Sequence, residues 1–144
     1  MNILIMAAGA VGGYFGSVLS TSNDVTFVAR GEHLRKIQEC GLSVKSVTSG
    51  NFVCWSKAYK EPPPEYRADL AIFCVKDYQN DEASEIMANS ISDNTTILTL
   101  QNGLGSGEFL SQKFGSEKVV LGAAYVEASK GEPGEIFEHG GVCR

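Results

Sequence analysis

Asn2-Ile3-Leu4-Ile5-Met6-Ala7-Ala8-Gly9-Ala10-Val11-Gly12-Gly13-Tyr14-Phe15-Gly16 is the stretch on which the fold turns. Residues 2–6 are a short, largely apolar strand, and residues 10–19 a helix rich in small side chains, with only a tight turn between them. The same alternation continues outward. Residues 24–29 (DVTFVA) read as a second strand, and residues 32–39 as a short polar helix closed by Gly41. Strands over residues 42–46 and 51–55 flank the Thr48-Ser49-Gly50 turn. Pro62-Pro63-Pro64 is an extended connector. LAIFCV, residues 70–75, is a continuous apolar run of strand length, as expected of a parallel strand covered on both faces. A helix over residues 77–89, a strand over 95–100, a helix over 107–114 and a strand over 118–124 follow, and the remainder reads as a hairpin.

Strands separated by helices predict a parallel sheet with helices on both faces. The fold class expected is therefore α/β, a Rossmann-type, doubly wound, mainly parallel sheet with an antiparallel C-terminal extension near residues 118–142. Residues 1–144 form one domain, which suits a chain of this length with 43% apolar and 20% charged residues. With 12 basic and 17 acidic residues the net charge is −5, which argues against a nucleic-acid partner. A small anionic ligand needs only a local positive site. The N-terminal apolar stretch has no Lys or Arg before Arg30 and is broken by Gly9, Gly12, Gly13 and Gly16, so it reads as neither signal peptide nor membrane anchor. Cys40, Cys54, Cys74 and Cys143 form no CxxC pair or zinc framework, and with His33 and His139 they give no metal site. Free thiols in a reducing cytoplasm are expected.

The turn at residues 7–12 carries the chemistry. It matches the dinucleotide fingerprint G-x-G-x-x-G at Gly9 and Gly12, with Ala7 in place of the first glycine. Gly9, lacking a Cβ, lets the backbone approach a pyrophosphate, and Gly12 lets the helix pack close to the strand. The helix N-terminus presents free N–H groups to the phosphates. The second strand ends at Arg30, 18 residues after Gly12, where NAD-binding domains usually carry an acidic residue for the ribose 2′-OH. A guanidinium grips a 2′-phosphate instead, which points to NADP. Lys76 and Gln101-Asn102-Gly103 follow two further strands, so Arg30, Lys76 and Asn102 are expected at one crevice beyond the strand ends.

GAVGGYFG at residues 9–16, VARG at 28–31, Cys74-Val75-Lys76 with Gln79, and Gln101-Asn102-Gly103 resemble the ketopantoate reductase (2-dehydropantoate 2-reductase) family, in its order and at about its spacing. The resemblance covers the whole chain, but only the family's N-terminal half. It implies that Ala7, Ala8, Gly9, Ala10, Val11 and Gly12 cradle the NADPH pyrophosphate and that Arg30 binds the 2′-phosphate. It also implies that Lys76 and Gln79 line the cleft, that Asn102 sits by the nicotinamide ribose and the substrate, and that the Ala128 backbone meets the cofactor. Lys76 and Asn102 are the candidate catalytic residues. The implied reaction is hydride transfer from NADPH to the ketone of 2-dehydropantoate, a small 2-oxoacid, giving pantoate. Two other readings remain: the cofactor domain of another 2-oxoacid or hydroxyacid reductase, and a non-catalytic nucleotide-sensing module. The family's helical second domain is expected to be absent, the hairpin-like end reading as a cut. A homodimer through the surface so left bare is expected, with open edges near Val119-Val120-Leu121 and Glu135-Ile136-Phe137.

Overall fold

The computed structural model describes residues 1–76, 79–101 and 105–141. In chain order the elements are β1 (Asn2–Met6), α1 (Ala10–Leu19), β2 (Asp24–Val28), α2 (Gly31–Cys40), β3 (Leu42–Ser46), β4 (Gly50–Cys54), β5 (Lys57–Tyr59) and β6 (Leu70–Phe73). They continue with α3 (Asn80–Met87), β7 (Thr96–Thr99), α4 (Ser106–Phe114), β8 (Val119–Leu121), β9 (Ala128–Lys130) and β10 (Glu135–Glu138).

Six strands form one parallel sheet in the order β5-β2-β1-β6-β7-β8. Alternate side chains of β1 enter two cores. Ile3 and Ile5 join Phe27 and Ile72 on one face, and Leu4 and Met6 join Phe73, Ala83, Met87, Ile97 and Leu110 on the other. Both faces are therefore dry, which is why the run from Ile3 to Met6 is continuously apolar. α3 and α4 supply part of the second core. α1 covers the first, and a second, four-stranded sheet in the order β4-β3-β10-β9 packs on the far side of that helix.

The small residues of α1 follow from this sandwich. A Cβ on Gly16 would press on Phe27 and Ile5 of the large sheet, and one on Gly13 would reach Ile136 of the small sheet at 3.0 Å. Helix and sheets approach so closely only because these positions carry no side chain.

Three expectations are refined. Val119–Leu121 continues the parallel sheet beside β7, so the antiparallel part of the C-terminal extension is the β9–β10 pair. Glu135–Glu138 is no open edge: β10 lies between β9 and a parallel partner, β3. β5 falls at residues 57–59, where no element was expected, because three residues with one buried side chain, Ala58, leave too short a pattern to recognise. Cys143 lies outside the described residues. Cys40, Cys54 and Cys74 are free, and burial pushes the Cys74 thiol up to about 12, which leaves it unreactive at neutral pH. No group of three metal-ligating side chains and no helix long and apolar enough to cross a membrane occurs among the described residues.

Candidate cofactor site

The strand order places β1 between β2 and β6, so the chain reverses direction across the sheet at the β1–β6 boundary. Ligands bind in such sheets beyond the carboxyl ends of the strands at that point. A cleft of about 220 Å³ opens there, lined by Met6 to Gly9, Val28 to Arg30, His33, Lys60, Val75, Gln79, Glu82, Ala83, Ile86 and Lys130.

The turn after β1 forms its floor. The Ala8 N–H donates to the Val28 carbonyl at 3.1 Å, and the Gly13 N–H closes the first helical bond to Gly9 at 2.7 Å. No side chain caps α1, and no acidic residue stands in its first turn. The first N–H groups of the helix are therefore left to an anion. A Cβ built on Gly9 would meet nothing within 4 Å, so its absence keeps space open rather than serving protein packing. A Cβ on Gly12, in contrast, would overlap the Ala7 carbonyl oxygen. Ala7 has φ +81°, the only non-glycine with positive φ among the described residues. The missing first glycine has thus left the turn geometry intact, at a conformational cost of about 1–2 kcal/mol.

His33 fastens this turn from behind. Its Nε2–H donates to the Ala8 carbonyl at 2.5 Å, and its Nδ1 accepts the Gly134 N–H at 2.9 Å. Those two bonds fix a neutral tautomer. Burial is the main reason its pKa is lowered; the Ala8 bond opposes that shift, and the nearby Lys130 charge adds to it.

At the other end of the cleft Arg30 follows β2, with its guanidinium 3.7 Å from the Glu82 carboxylate and both side chains more than half exposed. Lys60 and Lys130 bring two further cations to the lining. Beside it, Gln101 ties the end of β7 to the loop after β6, its Nε2 donating to the Val75 carbonyl and to Asn80 Oδ1 at 2.7 Å.

Of the residues expected from sequence, Ala7, Ala8, Gly9, Arg30 and Gln79 line one cleft. Ala10, Val11 and Gly12 form the helix start behind it. Lys76 is exposed just beyond Val75, and Ala128 begins β9; neither lines the cleft. Asn102 lies outside the described residues. Lys60, Glu82, Lys130 and the bridging role of His33 were not foreseen. His33 carried a weak signal, as a lone imidazole on a helix starting beside the fingerprint strand.

The doubly wound sheet, the fingerprint turn and the cleft at the reversal of strand order together define a nucleotide-binding α/β domain of the Rossmann type. The model of the family described as ketopantoate reductase PanE/ApbA matches residues 3–142, and the chain belongs to that family. The 2-dehydropantoate 2-reductase of Halobacterium salinarum is 30% identical over 143 residues, which are 98% of this chain and 47% of the relative. The crystal structure of the 2-dehydropantoate 2-reductase from Geobacter metallireducens superposes with a TM-score of 0.90 at 36% identity, over 97% of this chain and 46% of that one. A ternary structure of D-mandelate dehydrogenase with NADH and anilino(oxo)acetate gives a TM-score of 0.91 at 26% identity, over 97% of this chain and 46% of that one. The chain thus spans about half the length of these relatives.

Proposed function

We propose that this chain is the NADPH-binding half of a cytoplasmic enzyme that reduces 2-dehydropantoate, a small 2-oxoacid, to pantoate. Arg30 carries the reading. It stands at the end of β2, in the cleft that also holds the uncapped start of α1, where an acidic residue would favour NAD. The residues fit the cofactor: space above Gly9 for the pyrophosphate, N–H groups facing it, and three cations, Arg30, Lys60 and Lys130, for a 2′-phosphate. When bound, NADPH supplies the hydride.

The protein's part is to bind and orient. The turn from Ala7 to Gly12 holds the pyrophosphate, Arg30 fixes the ribose end, and Gln79 lines the wall between them. The family resemblance gives Lys76, with Gln79, the cofactor side of the cleft, and Asn102 the place by the nicotinamide ribose and the substrate. From these places an ammonium and an amide would stabilise the charge that develops on the ketone oxygen. The resemblance also gives the Ala128 backbone to the cofactor, although here it begins β9 outside the cleft lining. Free thiols at Cys40, Cys54 and Cys74 suit a reducing compartment. A second copy of this chain completes the proposed partners, at the outer edge of β8.

The test is a fluorescence titration of the chain with NADPH and NADH, in wild type and Arg30→Ala. A charge-assisted phosphate contact is worth about 1.5–3 kcal/mol, so wild type should prefer NADPH by about 10- to 150-fold and the variant should lose most of that preference. Equal affinities in wild type, unmoved by the substitution, overturn the reading.

A further inference from the structure

We propose that Glu82 is a specificity-determining residue that holds down the cleft's preference for a 2′-phosphorylated dinucleotide by competing for Arg30; this rests on the NADPH reading above. Three cations, Arg30, Lys60 and Lys130, line the cleft, and Glu82 is the one carboxylate among the described lining residues. It projects from the first turn of α3 and lies 3.7 Å from the Arg30 guanidinium.

The pair is built to exchange rather than to hold. With side chains 62% and 64% exposed, it is solvated on both sides, and exposed pairs of this kind contribute little to stability. An anion arriving at Arg30 therefore displaces the carboxylate easily. It does not arrive without penalty, because the displaced Glu82 remains in the wall of the same cleft, next to a phosphate of like charge. An unphosphorylated ribose meets no such repulsion. It leaves the Arg30–Glu82 pair intact, or offers its 2′-OH to the carboxylate as a donor. Glu82 therefore works against one cofactor and not the other. The cleft carries side by side the cation that suits a 2′-phosphate and the carboxylate that suits a 2′-hydroxyl.

The experiment compares NADPH and NADH dissociation constants for wild type, Glu82→Gln and Glu85→Gln, by nicotinamide fluorescence at low ionic strength. Glu85 is exposed on the same helix and does not line the cleft, so its substitution controls for net charge. Glu82→Gln should tighten NADPH by about 3- to 10-fold relative to Glu85→Gln and leave NADH within about twofold. The gain should shrink at high salt, since the repulsion it removes is screened. Thermal midpoints of the variants confirm that each is folded. Equal shifts in both variants, parallel shifts for both cofactors, or no shift overturn the inference. If Arg30→Ala abolishes an NADPH preference that Glu82→Gln leaves untouched, only the role of Glu82 falls. If wild type shows no NADPH preference and Arg30→Ala changes nothing, the cofactor reading falls, and the role of Glu82 with it.

Discussion

Ala7 shows one side chain set against the backbone the fold requires. Its φ of +81° is a left-handed conformation that a Cβ disfavours by about 1–2 kcal/mol. The turn adopts it nonetheless, because the Ala8 N–H must reach Val28 and the Gly9 carbonyl must start α1. Restoring glycine removes that cost but loosens the unfolded chain, which takes back about 0.4–1 kcal/mol. The relief outweighs the loss, so Ala7→Gly should stabilise the protein by about 0.5–1 kcal/mol. At about 2–4 °C per kcal/mol for a domain of this size, calorimetry should find the midpoint raised by about 1–4 °C. An unchanged or lowered midpoint would show that the turn relaxes around the methyl group. At this scale the sequence was most legible where chemistry is local. Gly9, Gly12 and Arg30 were legible as candidates because each lies in, or within one turn of, the segment that follows a strand. Lys60, Glu82 and Lys130 were not. They stand 30 or more residues from Arg30 in the chain and reach the cleft only through the packing of β5, α3 and the β9–β10 hairpin.

Among the elements, the two hairpins of the small sheet were legible in sequence, but the pairing that joins them was not. This β3–β10 pairing joins Ser43–Ser46 to Glu135–Glu138 in parallel, across most of the chain, and no turn signal announces such a contact. Two polar residues anchor it. The buried Glu138 accepts from Ser46 Oγ, the Thr48 N–H and the Gly140 N–H, and hydrogen bonds from Thr48 first, then Gly140 and Ser46, hold its carboxyl below the ordinary value. His33 joins α2 to the hairpin through Gly134, and to the fingerprint turn through Ala8. Both make the fold acid-sensitive, in different windows. A histidine with a lowered native pKa is protonated first in the unfolded chain. Its contribution is therefore complete above the ordinary value of 6.5 and is lost as the pH falls below it. For Glu138 the loss begins only as the pH falls below 4.5. Protonated His33 would also turn an Nδ1–H toward the Gly134 N–H, replacing a bond with a clash of donors. Urea unfolding from about pH 7.5 to about pH 5 should therefore show wild type losing stability, with a flatter profile for His33→Gln. His33→Gln should start lower, by about 1–3 kcal/mol for each buried group it fails to satisfy. Parallel pH profiles for the two proteins would remove His33 as the sensor.

For the whole molecule, the two ends of the large sheet are unequal. β5 and β8 are both three-residue edges paired on one side only among the described residues, but β5 carries Lys57 and polar flanks, whereas β8 is Val119-Val120-Leu121. Its side chains are apolar and open: Val120 is 49% exposed and Leu121 72%, with Tyr125 at 66% just beyond. An unpaired strand edge with apolar side chains is a template for a further strand or a packed face. The relatives carry about as much chain again. For this chain by itself the available cover is a second copy, meeting β8 edge to edge across a two-fold axis. The net charge of −5 opposes that contact, but charges spread over the surface are screened within about 8 Å at physiological salt, while the apolar gain is not. Light scattering over a concentration series should therefore give a mass rising from monomer toward dimer, and more readily at high salt. Leu121→Lys places a charge on the exposed edge, where the 72% exposed side chain lies beside Gly107 of α4, and should return the mass to that of a monomer with little change in the thermal midpoint. A wild-type mass constant at the monomer value across the whole series, at low and high salt alike, would show that this edge is held apart without a partner strand.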